Sequence, residues 1–151
     1  HLSIRRQRQM CIRDRGQLVF QTRVDLMDHN IDQATKNYTI FCDLDGTLWE
    51  QGDPTEIAKP GYQPKIIHGT VDKVREWDSK GYKIILTTGR KESLRDVTVK
   101  QLSFAGIVYD QLVMGIGGGS RVLINDLRAN GDQSAFVYQP KRNEGLGGID
   151  L

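Results

Sequence analysis

The chain has 151 residues, of which 38% are hydrophobic and 26% are charged, and its mean hydropathy is −0.48. A chain of this length and composition fits one globular domain with a sizeable core. No apolar run approaches the roughly 20 residues that a membrane-spanning helix needs, so the sequence excludes a transmembrane protein and we expect no membrane partner. The formal charge of +2 favours an anionic partner only if the basic residues belong to the domain.

Most of the positive charge lies in residues 1–15, which hold five arginines and one aspartate. Residues 16–151 then carry 16 basic and 18 acidic side chains, a net charge of −2. The run from Arg6 to Arg15 resembles one translated frame of a sequencing adapter, so we predict that residues 1–15 are an artefact outside the fold. The alternatives are a basic arm for nucleic acid or a targeting peptide.

The remaining chain divides into an extension and a domain. Residues 16–37 have a weak pattern with polar interruptions, and we treat them as an N-terminal extension of uncertain role in which Met27 is a candidate start. Residues 38–151 form the predicted domain. Because its charge is slightly negative, it offers no basic groove, and we expect no nucleic-acid partner.

Strand and helix patterns alternate through residues 38–151. In chain order, the predicted elements are a strand over Tyr38–Cys42, a long loop rich in Gly and Pro, a helix from Thr70 to Gly81, a strand over Lys83–Thr87, a helix over Lys91–Phe104, and three short strands over Gln111–Met114, Val122–Ile124 and Ala135–Tyr138. Thr70 is the expected N-cap of the first helix, whose inner face carries Val71, Val74 and Trp77. This alternation predicts an α/β fold with a parallel, Rossmann-like sheet in a three-layer sandwich. The intervals between the strands leave no space for a cap domain.

Polar side chains follow three of these strands. Asp43-Leu44-Asp45-Gly46-Thr47 follows the first strand, Thr88-Gly89-Arg90 the second, and Asn125-Asp126 the fourth. In parallel sheets, ligands bind outside the carboxyl ends of the strands, so we expect these groups to converge. Three carboxylates there would make an oxygen-rich site of the kind that suits Mg²⁺, and the pair Asp43 and Asp45 could divide nucleophilic and proton-transfer roles.

Together these residues resemble the haloacid dehalogenase (HAD) superfamily of phosphohydrolases. Its first motif, DxDGT after an apolar strand, matches Asp43–Thr47, and its second, a Ser or Thr that closes the next strand, matches Thr88. Its fourth, an acidic pair after an apolar strand, matches Asn125–Asp126. The resemblance spans about Tyr38 to Tyr138 and implies a small phosphatase without a cap.

The resemblance implies a role for each matched residue. Asp43 would attack the phosphorus and form an aspartyl-phosphate, Asp45 would protonate the leaving oxygen and then deprotonate water, and Thr88 would hydrogen-bond a phosphoryl oxygen. The other substrate-binding positions are Leu44, Thr47 and Gly89. Mg²⁺ would be held by Asp43, the backbone carbonyl of Asp45 and Asp126, with Asn125 adjusting the surroundings of the metal.

The third motif of the superfamily, a Lys or Arg that pairs with the nucleophile, has no match. Where relatives without a cap read Gly-Lys-Pro, this chain reads Gly115-Ile116-Gly117. Arg90 and Lys91, directly after Thr88, are the predicted replacements. We rank Arg121 below them, because it begins the predicted fourth strand and would lie more than about 10 Å from Asp126, at the opposite end of the sheet.

Three other segments contain residues that could contact an anionic substrate. The glycine run from Gly115 to Gly119 is expected to be a flexible loop, or else to lend backbone N–H groups to anion binding. Trp49 and Tyr62 in the long loop are candidates to touch the substrate. Lys141–Glu144 is expected to be a solvated turn, the alternative being contact with an anionic substrate.

The sequence therefore predicts a Mg²⁺-dependent phosphomonoesterase that acts on a small phosphorylated metabolite such as a sugar phosphate. The alternatives are a non-catalytic HAD-like binding domain, a polynucleotide terminal phosphatase and a phosphotransferase. A site without a cap would stay open unless a second subunit covered it, so a homo-oligomer is possible. With Cys11 in the suspect tail, Cys42 is the one cysteine of the domain, and we expect a reducing, cytoplasmic setting.

Overall fold

The computed structural model describes residues 11–14, 17–20 and 37–151. Two short strands, β1 (Cys11–Asp14) and β2 (Gln17–Phe20), pair in antiparallel orientation with Cys11 opposite Phe20. The candidate start Met27 and most of the predicted extension lie outside the described residues. The adapter origin of residues 1–15 stays a prediction.

A three-stranded parallel sheet forms the centre of the domain. Its strands are β3 (Thr39–Asp43), β4 (Lys83–Thr87) and β5 (Gln111–Val113), in the order β3-β4-β5. The register places Asp43 opposite Thr87, and Thr87 opposite Val113. The first three predicted strands are thereby confirmed to within one residue at each end, and the fold is α/β with a parallel sheet.

Two helices connect the strands. α1 spans Thr70–Ser79, and α2 spans Arg95–Ala105 after a short 3-10 helix over Glu92–Leu94. The predicted N-cap, Thr70, is wrong by one residue. Gly69 is the N-cap, and Thr70 is the first helical residue. Gly106 ends α2 with φ 70°, the left-handed conformation that glycine adopts without a Cβ clash.

The core lies between one face of the sheet and the helices. Cys42, Ile84 and Leu86 present buried side chains from the strands, and helix and loop residues pack against them. The principal partners are Leu44, Leu48, Trp49, Val74, Trp77, Leu102 and Leu146. The opposite face is open among the described residues, where Phe41 is 61% exposed. The predicted third layer is therefore not formed in this part of the chain.

The predicted fourth and fifth strands are wrong. The structure has no strand after β5 in residues 114–151, and the side chain of Ile124 is 92% exposed. A strand is stable only where a neighbouring strand accepts and donates its backbone hydrogen bonds, and residues 122–124 and 135–138 lie in no ladder. The apolar, β-branched composition of these runs indicated strands, but three or four residues without a pairing strand bury too little surface to offset the entropy of ordering.

Residues 44–69, between β3 and α1, contain turns and isolated bridges and no helix or paired strand, so no cap domain is inserted there. Within the described ranges, no helix has both the length and the apolar character needed to cross a bilayer.

Candidate functional site

The carboxyl ends of β3 and β4 bring the first two predicted groups together. Because Asp43 and Thr87 occupy one register position, Asp45 and Thr88 follow side by side, and the Thr88 hydroxyl lies 3.2 Å from Asp45 Oδ2. The loop after β3 turns sharply, since the N–H groups of Thr47 and Leu48 both donate to the carbonyl oxygen of Leu44. This turn returns Asp45 towards the end of β4.

Asp43 lies at the end of β3 and is partly exposed. The backbone N–H of Leu44 and the hydroxyl of Thr47 are the hydrogen-bonding groups that act on the pKa of this carboxyl. Burial raises the pKa of Asp43 above its ordinary value, and the nearby charge of Asp45 adds to the rise. The positive charge of Arg121 and the two hydrogen bonds act in the opposite direction. The ionised form of Asp43 is therefore less stable than that of an ordinary aspartate, as expected of a nucleophile at a functional site.

Asp45 is engaged by three neighbouring side chains. Trp49 Nε1 donates to Oδ1 at 2.9 Å, and Thr88 Oγ1 approaches Oδ2. Arg90 contacts both oxygens, with Nη2 2.7 Å from Oδ1 and Nε 3.0 Å from Oδ2. This is the bidentate geometry that Arg and carboxylate favour. In this conformation both oxygens of Asp45 are occupied.

Arg90 is held as firmly as its partner. Its side chain is 4% exposed, against 14% for that of Asp45. Nη1 donates to Gln101 Oε1 at 2.6 Å and approaches Thr98 Oγ1 at 3.3 Å, both on α2, and the guanidinium stacks 4.9 Å from the ring of Trp49. The prediction that Arg90 pairs with the nucleophile is therefore wrong: its guanidinium reaches Asp45, because α2 directs it there.

Arg121, which the sequence analysis ranked below Arg90 and Lys91, is the arginine whose charge acts on Asp43. Its guanidinium donates to the carbonyl oxygens of Gly117 and Gly119. No strand begins at Arg121 in the structure, so the separation that we expected along such a strand does not arise. Lys91 is exposed and precedes the 3-10 helix, and no hydrogen bond or ion pair among the described residues joins it to Asp43 or Asp45.

The glycine run packs directly on the Thr88-Gly89 segment. The N–H of Gly115 donates to the carbonyl of Arg90 at 2.7 Å. A Cβ at Gly89 would lie 2.8 Å from the carbonyl oxygen of Gly117, so only glycine permits this approach. The predicted flexible loop is thus fastened at one end to the strand edge that carries the site.

Asn125 and Asp126 are not brought into this site. Both are exposed, and Asn125 Nδ2 donates to Ser134 Oγ at 2.7 Å. Among the described residues, no group of three or more His, Cys, Asp or Glu side chains is placed to hold a metal ion. Asp43 and the backbone of Asp45 remain together after β3, but the exposed Asp126 carboxylate lies outside this group, so the predicted set of three ligands for Mg²⁺ is not assembled among the described residues.

Four residues that shape the site either have contacts other than those expected from the sequence or, like Thr98 and Gln101, were not predicted from it. Trp49, expected to touch substrate, is fully buried and binds Asp45. Thr98 and Gln101 are polar residues three apart on the inner face of α2, a spacing that could have marked them as partners of a buried charge. Asn143, expected in a solvated turn, donates its backbone N–H to the carbonyl oxygen of Gly46 at 2.8 Å.

Comparison with known proteins identifies one matching family model, described as "PITM 1-3, LNS2 domain", over residues 40–117. The match covers more than half of the chain, from β3 to the glycine run. The LNS2 domain is a HAD-like phosphatase domain. The comparison with curated proteins gives no match.

The solved structures that match this chain include the following two. The first, "Structure of Pnkp1/Rnl/Hen1 complex", is 26% identical with a TM-score of 0.47, over 73% of this chain and 40% of that chain. The second, "Structure of the Pnkp1/Rnl/Hen1 RNA repair complex", is 24% identical with a TM-score of 0.46, over 66% of this chain and 32% of that chain. This chain spans less than half the length of either of those chains.

Proposed function

We propose that this chain, which belongs to the family of PITM 1-3 LNS2 domains, hydrolyses phosphomonoesters through a phosphoryl group carried by Asp43. The observation that carries the proposal is the setting of Asp43. It is a strand-end carboxylate and the first residue of the DxDGT motif, with a pKa that burial raises and the positive charge of Arg121 lowers. The HAD-like phosphatase character of the family supports the same reaction type.

The first step transfers the phosphoryl group to the chain. A carboxylate oxygen of Asp43 forms a bond to phosphorus, and the bond from phosphorus to the ester oxygen breaks. The electron pair leaves with that oxygen, which takes up a proton as the alcohol departs. We assign Arg121 to the negative charge of the phosphoryl group, because its positive charge acts on Asp43 and a cation there stabilises charge in the transition state.

The second step regenerates the carboxylate. Water attacks the phosphorus of the acyl phosphate, the bond from phosphorus to the Asp43 oxygen breaks, and phosphate leaves. The proton that water loses has to reach a base.

Asp45 can serve as that base, and as the acid of the first step, only after one of its oxygens is released. The Thr88 hydroxyl that we expect to bind a phosphoryl oxygen is the same hydroxyl that contacts Asp45 Oδ2. Substrate phosphate would therefore compete with Asp45 for Thr88. We infer that the described conformation is a resting state that substrate opens.

The test is phosphate release by the full chain and by the Asp43→Asn variant, each with Mg²⁺ and with EDTA. The panel is a sugar phosphate, a nucleoside monophosphate, an aryl phosphate and an oligonucleotide with a terminal phosphate. Loss of a catalytic nucleophile lowers the rate by about 10⁴-fold or more. Release that is equal in both proteins would contradict the proposal, and the comparison between Mg²⁺ and EDTA tests the metal requirement separately.

A non-catalytic phosphate-binding domain is the second candidate, and the occupied state of Asp45 favours it. An acid that stays bound to Arg90 cannot deliver a proton to the leaving group. The two candidates differ in beryllofluoride binding measured with and without added Mg²⁺: an enzyme traps this phosphoryl mimic on Asp43, and the trapping disappears in Asp43→Asn. A binding domain would bind free phosphate without trapping the mimic.

A further inference from the structure

The last ten residues, Arg142–Leu151, form a segment that we call the C-terminal strap. Asn143 fastens its start to the loop after β3: its N–H donates to the Gly46 carbonyl at 2.8 Å, and its Oδ1 accepts the N–H of Gln51 at 2.9 Å. Further along, Leu146 is only 1% exposed and belongs to the core. The strap is therefore fixed at both the DxDGT turn and the core.

Arg142 lies against the turn that follows the nucleophile. A Cβ placed on Gly46 would lie 3.1 Å from Arg142 Cγ and 3.7 Å from its Cδ, so the aliphatic stem covers the open side of Gly46. Gly46 has φ 90° and comes three residues after Asp43. The stem is thus positioned beside the candidate site by the neighbouring anchors at Asn143.

The guanidinium of Arg142 has no ion-pair partner in the described part of the chain. Its side chain is exposed, and no hydrogen bond or ion pair among residues 37–151 holds its guanidinium. The adjacent Lys141 differs, since its Nζ lies 3.8 Å from Glu144 Oε1. An arginine guanidinium binds a carboxylate or phosphate through two parallel hydrogen bonds, and fixing its stem in advance reduces the entropy lost on binding.

We propose that Arg142 binds a second anionic group of the substrate, so that the preferred phosphomonoester carries a carboxylate or another phosphate close to the reacting phosphate. This inference rests on the proposed function, because it assumes that the reacting phosphate sits at Asp43. In this arrangement Arg121 is assigned to the reacting phosphate, and Arg142 would meet the second group from its place beside Gly46. The proposal makes Arg142 a specificity-determining residue for the reaction.

The test compares the binding of two non-hydrolysable probes to the full chain by calorimetry. Methylphosphonate offers one anionic group, and phosphonoacetate offers a phosphonate and a carboxylate. We expect the wild-type chain to bind phosphonoacetate at least about tenfold more tightly, the gain of one charge-assisted contact. Arg142→Gln should bind the two probes about equally, Arg142→Lys should recover part of the preference, and Lys141→Gln, the control with the same charge change next door, should keep it.

Equal affinity of the wild-type chain for both probes would overturn the role of Arg142 and leave the phosphate site of the proposed function intact. Equal losses in Arg142→Gln and Lys141→Gln would also overturn it, because they would indicate general charge attraction. Binding of neither probe would contradict both this inference and the phosphate site at Asp43. Urea unfolding of each variant establishes that it is folded before its affinities are compared.

Discussion

Replacing Arg90 with Met should destabilise the fold far more than an ordinary arginine substitution. Met keeps most of the aliphatic stem but removes the guanidinium, which leaves the 14%-exposed carboxylate of Asp45 without its cation. Removing one partner of a buried ion pair costs about 3–5 kcal/mol, a large part of the roughly 5–15 kcal/mol of a typical domain.

The matched control is Arg95→Met. Arg95 also pairs with a carboxylate, that of Glu92, but the two side chains are 40% and 64% exposed. Exposed pairs contribute about 0–1 kcal/mol. Urea unfolding should therefore give a midpoint more than about 1 M lower for Arg90→Met, and only a small change for Arg95→Met.

A double variant measures how strongly the contributions of Arg90 and Asp45 to stability depend on each other. The double variant Arg90→Met with Asp45→Asn removes both charges, so its loss of stability should be smaller than the sum of the two single losses. Equal midpoint shifts for Arg90→Met and Arg95→Met, or strict additivity in the double variant, would refute the view that Arg90 and Asp45 form a buried, mutually dependent pair.

Three further predictions concern packing and pH. Gly89→Ala should lower the free energy of unfolding by about 1–3 kcal/mol, because its Cβ would meet the Gly117 carbonyl oxygen at 2.8 Å. The control Gly118→Ala should be near neutral, because a Cβ there meets nothing within 4 Å. Equal shifts of the melting temperature in the two variants would contradict this packing. Leu146→Ala should cost about 2–5 kcal/mol by urea unfolding, and a cost below about 1 kcal/mol would mean that the strap is not part of the core. The pKa of Asp43 in the folded chain is raised above the ordinary value of 3.8. Between pH 3.8 and the folded pKa, the unfolded chain has lost this proton while the folded chain still holds it, so the free energy of unfolding falls as the pH rises. Asp43→Asn should therefore melt higher than wild type at pH 7, with the gap closing below pH 3.8, and a lower melting temperature at pH 7 would contradict the sign.

The placement of Asp43 and Thr88 at one sheet edge could be predicted because it depends on short-range patterns. A β-branched run that ends in a polar residue specifies where a strand stops, and parallel pairing puts successive strand ends at the same edge. No knowledge of side-chain partners is needed for that step. The same reasoning gave the bounds of β3, β4 and β5 to within one residue.

The partner of Arg90 could not be predicted in this way. Proximity to Thr88 in sequence suggested Asp43, but the direction of a side chain depends on what surrounds it. Thr98, Gln101 and the ring of Trp49 hold the guanidinium towards Asp45, and these contacts exist only after α2 packs against the sheet.

The prediction for the segment after β5 was wrong for a different reason. Val122–Ile124 has strand-forming composition, yet composition cannot supply a pairing partner, and the described chain leaves these residues exposed. Arg121 consequently acts on Asp43 instead of starting a strand, and Asp126 stays outside the site. A single error about one strand therefore changed the interpretation of both the third-motif cation and the metal ligands.

The central claim, that Asp43 carries the phosphoryl group, is tested most directly by mass spectrometry of the full chain quenched in acid during turnover of a phosphomonoester. We expect one added phosphoryl group on the peptide that contains Asp43, and no added phosphoryl group on that peptide in Asp43→Asn. A phosphoryl group on any other residue, or turnover at an unchanged rate in Asp43→Asn, would contradict it.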